Sequence, residues 1–279
     1  MSSYRFCRTD DVSLLVAALN RCWSPHFPSE PAMTPEAFKR SIRDLQVWCS
    51  SCMVAFAGAD PIAVLIGAKR PSGTLIHRIA VHPDHCRQGH GRHVLTSLSS
   101  KLAILGPPKI VAEIPDTLTP ACELFVASGY IQEAVLTNYV LETPVAGERI
   151  DSYVIPVTVD DLAANGLLGE HDPTVCWERS VETLTARKDD MQGFAIASDE
   201  RLEAFVLFLP DGEILAMRSF IEDGGARLDH LLAHLRARGV QTLRIQKVHP
   251  AEISAEWLAM LGFRSAGAHR LYAAKARSA

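Results

Sequence analysis

An α+β fold, a mixed and mostly antiparallel sheet with helices on both faces, is what the sequence predicts, twice in tandem. Three observations carry this. Residues 53–57, 62–68 and 75–81 are apolar, β-type runs parted by turn residues, the pattern of consecutive antiparallel strands. The last run leads through a glycine-bearing loop into a helix whose Val94, Leu95, Leu98 and Leu102 fall at helical spacing. The same order of segments then recurs, weakened, about 140 residues later, too long a period for a stacked solenoid, whose repeats run ~20–50 residues.

In chain order, Tyr4–Arg8 is a short strand, and Thr9-Asp10-Asp11 caps a helix with Leu14, Leu15, Ala18 and Leu19 on one face. Residues 23–35 form a proline- and aromatic-rich connection. Thr34 caps the next helix, with Ala37, Phe38, Ile42 and Leu45 inward. Gly58-Ala59-Asp60-Pro61 turns the hairpin between the strands Met53–Ala57 and Ile62–Ala68, and Leu75–Val81 is the third strand. The glycine helix, which the pattern starts near Arg92, stops at Gly106-Pro107-Pro108. Lys109–Ile114 is a strand, Pro120–Ala127 a short helix ending at Ser128-Gly129, and Ile131–Leu141 a strand. Thr143–Arg149 reads as a linker, so the domains are expected at 1–143 and 150–279.

In the second half, Ile150–Val157 is a strand candidate and Val159-Asp160-Asp161-Leu162 echoes the start of the first helix. Ala195–Ala197 and Ala204–Leu209 flank a turn. Ile214–Phe220 leads to Gly224-Gly225 and a helix carrying Leu228, Leu231, Leu232 and Leu235. Thr242–Lys247 is a strand, Glu256–Phe263 echoes Glu123–Tyr130, and Leu271–Ala274 is the last apolar run.

Composition removes several function classes. Apolar residues make up 48%, ample for a packed core. A net charge of −4, with no basic run, gives a nucleic-acid partner no electrostatic support. The apolar run Pro61–Ala68 is far short of a membrane span, and Arg5, Arg8, Asp10 and Asp11 stand where a secretory signal would be apolar. Seven scattered cysteines read as reduced thiols of a cytoplasmic protein.

The stretch Ile79–Leu98 carries the chemistry. Gly89 and Gly91 let the backbone come close to a ligand, and the unpaired N–H groups of the first helical turn favour an anion there. Arg87 and Arg92 flank the glycines and add charge, which makes a pyrophosphate the expected guest. A dinucleotide fingerprint does not fit. Val94 stands at its third glycine, and Lys109 stands where an acidic residue is wanted.

These residues resemble the acyl-CoA signature of the GCN5-related N-acetyltransferases, the GNAT family. Ile79, Ala80, Val81 and Pro83 match the end of its strand, and Cys86, Arg87, Gln88, Gly89, His90 and Gly91 match its [QR]-x-x-G-x-[GA] loop, with cysteine at the position that is usually Gln or Arg. Ala121–Tyr130 (A-C-E-L-F-V-A-S-G-Y) is similar to the family's A-x-x-L-Y-x-x-x-G-F helix end. The resemblance covers residues 1 to about 142. It implies two GNAT-like acyl-CoA N-acyltransferase domains in tandem, the first binding acetyl-CoA through Ile79, Ala80, Val81, Arg87, Gln88, Gly89, His90, Gly91 and Arg92. It also implies direct acetyl transfer to a primary amine of a small molecule or peptide, with residues 23–35 shaping the acceptor pocket. A non-catalytic acyl-CoA sensor or scaffold is the alternative.

Such a transfer needs a base for the amine, and Glu113, twelve residues before Phe125, matches a family subset that uses a glutamate there; a surface glutamate is the other reading. His77 is the second base candidate, on the strand that faces the thioester. Phe125 stands where the family places an acid tyrosine, and a phenyl ring has no proton to give. Tyr139 is then a candidate acid, Tyr130 a core residue, and Leu118 replaces an asparagine that often contacts the CoA arm.

His82, His85, His90 and His93 with Cys86 are spaced too loosely for a zinc motif, so no metal is expected. Cys49 and Cys52 precede a hairpin and read as incidental thiols. The second glycine loop is shorter, and Glu222 and Asp223 put negative charge where phosphates would sit. Gln246, at the position of Glu113, is unable to act as a base. This half is expected to be degenerate.

Overall fold

The computed structural model describes residues 2–142, 154–169 and 172–277; the expected linker Thr143–Arg149 and the start of the strand expected from Ile150 lie outside the described residues. The chain forms two compact units, but they do not divide at the expected 143/150 boundary. One unit is Met1–Ala134 with Arg270–Ala279, and the other is Val135–His269.

The first unit runs β1 (Ser2–Phe6), α1 (Val12–Cys22), α2 (Pro35–Leu45), β2 (Met53–Ala57), β3 (Asp60–Arg70), β4 (Gly73–Val81), α3 (His90–Leu105), β5 (Lys109–Pro115) and α4 (Thr119–Ala127). β6 (Ile131–Glu142) starts here and passes into the second unit at Val135. β1 to β4 are antiparallel neighbours, β5 is parallel to β4, and the C-terminal end of the chain lies beside β5, where the Ala276 amide donates to the Pro108 carbonyl at 2.7 Å.

The apolar stripe of α3 (Val94, Leu95, Leu98, Leu102) packs on one face of this sheet with Leu65, Ile76, Ile110, Ala112, Ile114, Phe125 and Tyr272. α1 packs against β3 with Leu15, Val16, Ala18, Leu19 and Cys22 buried. Thr34 caps α2 as its sequence promised, accepting from the Ala37 amide at 3.1 Å. Asp11 does not cap α1 with its side chain; its carboxylate instead accepts from the Arg8 amide at 2.7 Å and pairs with Arg5.

Tyr272 explains the boundary. A strand read as the four residues Leu271–Ala274 is β12, Arg264–Lys275, and its residues from Arg270 on belong to the first unit. There Tyr272 is fully buried, with its ring stacked on Phe125 at 5.8 Å. The first unit's core is therefore completed by the other end of the chain.

The second unit contains β7 (Val154–Pro156), α5 (Val159–Ala164), α6 (Val181–Ala186), β8 (Gln192–Ala197), β9 (Leu202–Phe208), β10 (Ile214–Ser219), α7 (Ala226–Ala237), β11 (Thr242–Val248) and α8 (Ala255–Met260). Among the described residues β7 to β10 form an antiparallel sheet, and the later part of β6 pairs with β11. Thr158 and Asp161 form a reciprocal capping box at α5, which accounts for the acidic start of that helix. The leucine stripe Leu228, Leu231, Leu232 and Leu235 of α7 covers the core.

Candidate functional site

α3 starts two residues earlier than expected, at His90, with Gly89 as the preceding cap residue in the left-handed conformation at φ +86°. The His93 amide closes the first turn onto the Gly89 carbonyl at 3.0 Å, so the amides of His90, Gly91 and Arg92 have no partner within the helix. A cleft of about 450 Å³ lies in front of them, walled by Val81, His85, Cys86 and Arg87 on one side and by Pro120, Glu123, Leu124 and Ala127 of α4 on the other. The α4 wall was legible only through the family resemblance.

The two glycines differ in role. Gly89 supplies the left-handed turn. Gly91 supplies helix packing: a Cβ there would sit 3.0 Å from Leu124. Arg87 is itself left-handed at φ +61°, a conformation that costs a non-glycine residue of order ~1 kcal/mol and is concentrated at functional sites. Its guanidinium pairs loosely with Glu123 at 3.5 Å, and both groups are exposed. Arg92 donates to the Ala127 carbonyl, tying α3 to α4, and Gln88 donates to the Asp84 carbonyl within the loop. The His90 ring is buried and hydrogen-bonded to the Tyr4 hydroxyl at 2.6 Å. Burial, and then His85 and His93, hold its pKa below the ordinary imidazole value.

Beside the cleft, β4 and β5 separate. They pair only at Thr74–Ile110 and Leu75–Val111, and beyond that a slot opens between them. The register fixes which groups face it. The His82 amide donates to Ile62 of β3, and antiparallel pairs alternate, so Ala80 and Arg78 spend their backbone groups on Val64 and Ile66. Ile79 and Val81 therefore turn theirs to the slot, while Ala80, expected with them, does not. A bulge at His77, between the pairs Arg78–Ile66 and Ile76–Gly67, bends the strand at this point.

Ile110, Ala112 and Ile114 face the α3 core, so by alternation Glu113 lies on the opposite face of β5, the side of α1. Counted from the last pair, it stands level with His77. The residues after α1 cover this side: His26 Nε2 donates to the Val81 carbonyl at 2.8 Å, Trp23 stacks on Phe27 at 4.4 Å, and Trp23 Nε1 donates to Glu30. His26 and Glu30 were missed in the sequence, because a bond across 55 positions leaves no local pattern. Tyr139 is not brought to this site. It is buried in the second unit's core with Leu141, Ile245 and Phe263, because β6 has left the first unit before it. Phe125 is fully buried, edge-on to Tyr130 at 5.0 Å, and carries no polar atom. Leu118 packs against the same core.

Among the described residues, no three His, Cys, Asp or Glu side chains come together to hold a metal. Cys49 and Cys52 are unbridged and buried, and burial pushes both thiols above their ordinary value.

The profile of the acetyltransferase (GNAT) family matches residues 14–130, which span the strand, the loop, α3 and α4. The first unit is a GNAT-family domain. The two-unit fold as a whole also has solved counterparts. A GCN5-related N-acetyltransferase from Sphaerobacter thermophilus is 14% identical, with a TM-score of 0.69 over 99% of this chain and 96% of that one. A putative acetyltransferase from Pyrococcus horikoshii is 16% identical, with a TM-score of 0.66 over 99% and 90%. A tandem GNAT protein from the clavulanic acid biosynthesis pathway is 14% identical, with a TM-score of 0.65 over the full length of both chains. At these identities the likeness is one of fold. No curated protein matches the chain in sequence.

The second unit repeats the GNAT loop's geometry and fills it from within. α7 also follows a left-handed glycine, Gly225 at φ +91°. Asp223, two residues before it, accepts from the Gly225 amide at 3.0 Å and the Arg227 amide at 2.9 Å, and pairs with the Arg227 guanidinium at 3.2 Å. Burial opposes the charge on Asp223, but these donors outweigh it and hold the pKa below the usual carboxylate value. β10 and β11 also splay, meeting at the single bridge Glu213–Arg244. Arg179 is buried here, donating to the Gln246 carbonyl at 2.8 Å and pairing through both ends of its guanidinium with Glu252. The sequence pointed to Glu222 and Asp223 together; Asp223 is the one on the amides.

Proposed function

We propose that the GNAT domain transfers an acetyl group from acetyl-CoA to a primary amine of a small molecule or peptide, by direct attack. One observation carries this reading: the helix amides without intrahelical partners and the slot-facing edge of β4 adjoin each other at Val81, a cradle for an anion next to a groove for an extended arm. Acetyl-CoA supplies the acyl group already activated as a thioester. The residues fit it. The amides of His90, Gly91 and Arg92, with Arg87 and Arg92 beside them, hold a pyrophosphate, and Arg87 exchanges its loose partner Glu123 for it. The backbone of Ile79 orients the arm, and a slot-facing amide polarises the carbonyl, while His26 already holds the Val81 carbonyl. The acceptor enters from the side of Trp23 and Phe27, and Glu113 takes its proton. Since Phe125 offers no proton, the thiolate leaves unassisted, which the acidity of a thiol, far above that of an alcohol, permits. The seven unbridged thiols fit a reducing compartment, and we assign the activity to the cytoplasm.

Phe125 also favours a second reading, a non-catalytic acyl-CoA sensor. Turnover separates the two. In an enzyme, amine-dependent CoA release falls ~100-fold or more in Glu113→Gln while acetyl-CoA affinity, read by calorimetry, is unchanged. Binding without release for any amine favours the sensor. No binding at all sinks both.

A further inference from the structure

Arg78 lies on β4 one residue past the bulge, on the acceptor side of the sheet, with its guanidinium 4.7 Å above the Trp23 ring. Its side chain is only 24% exposed. Among the described residues its one ionic partner is Glu30, at 3.6 Å from Nη1, and Glu30 Oε2 is at hydrogen-bond distance from Trp23 Nε1 instead. Among the described residues no group accepts a hydrogen bond from the Arg78 guanidinium. Burial accordingly pulls its pKa below the ordinary arginine value, and Glu30 opposes that only in part. A largely desolvated planar fork of donors, fixed against an aromatic ring and left without an acceptor, is built for a carboxylate.

We propose that the acceptor amine carries a carboxylate, and that Arg78 binds it while Glu113 faces the amine. This rests on the acetyltransfer reading above and names its substrate class. Glu113 and Arg78 lie on the same face of neighbouring strands that have splayed, so one acceptor can meet both side chains. Acceptors of graded length then read the span between the amine and the carboxylate. Glu30 holds the Trp23 Nε1 and stands beside the guanidinium as a weak rival to the acceptor carboxylate.

The test is steady-state CoA release with matched acceptors: ω-amino acids of graded length, dipeptides, and the amide and decarboxylated form of each. Arg78→Gln, Arg78→Lys and Glu30→Gln are assayed beside the wild type. The acids should outperform their amides. Arg78→Gln should raise KM for the acids roughly 10- to 100-fold and erase the preference for acid over amide, with KM for acetyl-CoA unchanged. Arg78→Lys keeps the charge without the fork and should fall between. Glu30→Gln removes the competing anion and should leave the acids' KM equal or lower. Acetylation of the amides or simple amines as fast as the acids, or a KM raised by Glu30→Gln in place of Arg78→Gln, overturns this inference and leaves acetyl transfer standing. Acetyl-CoA binding with no release for either class overturns both; absence of acetyl-CoA binding overturns the reading beneath them.

Discussion

The amino termini of α3 and α7 are built alike and do opposite things. Each helix follows a left-handed glycine, Gly89 or Gly225, and each strand before it splays from its parallel neighbour. At α3 the position two before the glycine is Arg87, its guanidinium loosely held and exposed. At α7 it is Asp223, bound to two amides. A carboxylate and a phosphate compete for the same donors, so one aspartate satisfies the second helix from within. The strand gaps differ in the same way: the first has Ile79 and Val81 turned into it, and the second is filled by Arg179 and Glu252. The fold makes the cradle, and a few side chains decide whether a ligand or the chain itself occupies it.

Breaking the internal plug should give the largest effect. Arg179→Ala leaves Glu252 buried without a partner, and the unfolding free energy from urea titration should drop by about 3–5 kcal/mol. Replacing both, as Arg179→Met with Glu252→Leu, should recover most of that, because the plug fills space as much as it pairs charge. Copying the second helix into the first comes next. Arg87→Asp should weaken acetyl-CoA binding about 100-fold by calorimetry, through a lost charge-assisted contact and an added like charge. The reverse change, Asp223→Ala, should cost about 1 kcal/mol of stability as the helix loses its cap, and should open no new acetyl-CoA site while Arg179 still fills the gap. A second site in that variant would mean the carboxylate is the whole obstacle.

The smallest effect is one of pH, at His90. Its folded pKa is depressed, so below the ordinary imidazole value of about 6.5 the unfolded chain takes up a proton that the folded one resists. The stabilisation is complete above that value and is lost as pH falls through the lowered folded value. Urea midpoints of the wild type should decline over this range more than those of His90→Gln, and equal declines would show that the ring is not the group titrating.

Most elements, and the loop itself, were legible in the sequence because they are local. Strand alternation, the stripe of α3, Thr34 and the glycines each act within a few residues. The unpaired amides at the start of α3 followed from the helix pattern alone. What stayed hidden depends on partners far apart in the chain. Tyr139 follows Phe125 closely in sequence, yet β6 carries it into another core. Tyr272 looked like part of a minor closing strand and is a central ring of the first unit. Arg179 and Glu252 have no shared pattern, and Arg78 meets the Trp23 ring only across 55 positions of sequence. Gly91 was read as room for a ligand, and its missing Cβ also makes room for Leu124.

The crossing of β6 and β12 bears on how the protein is made. Synthesis proceeds at about 5–20 residues per second, and domains made first ordinarily fold first. Here the GNAT domain is finished early but lacks Tyr272, which leaves the ring of Phe125 without its stacking partner until the last strand leaves the ribosome. The nascent first unit must therefore wait, partly open, through the synthesis of the whole second unit. A premature stop within the last strand would thus open the core of the first unit, although the ribosome has by then passed through the whole of the second.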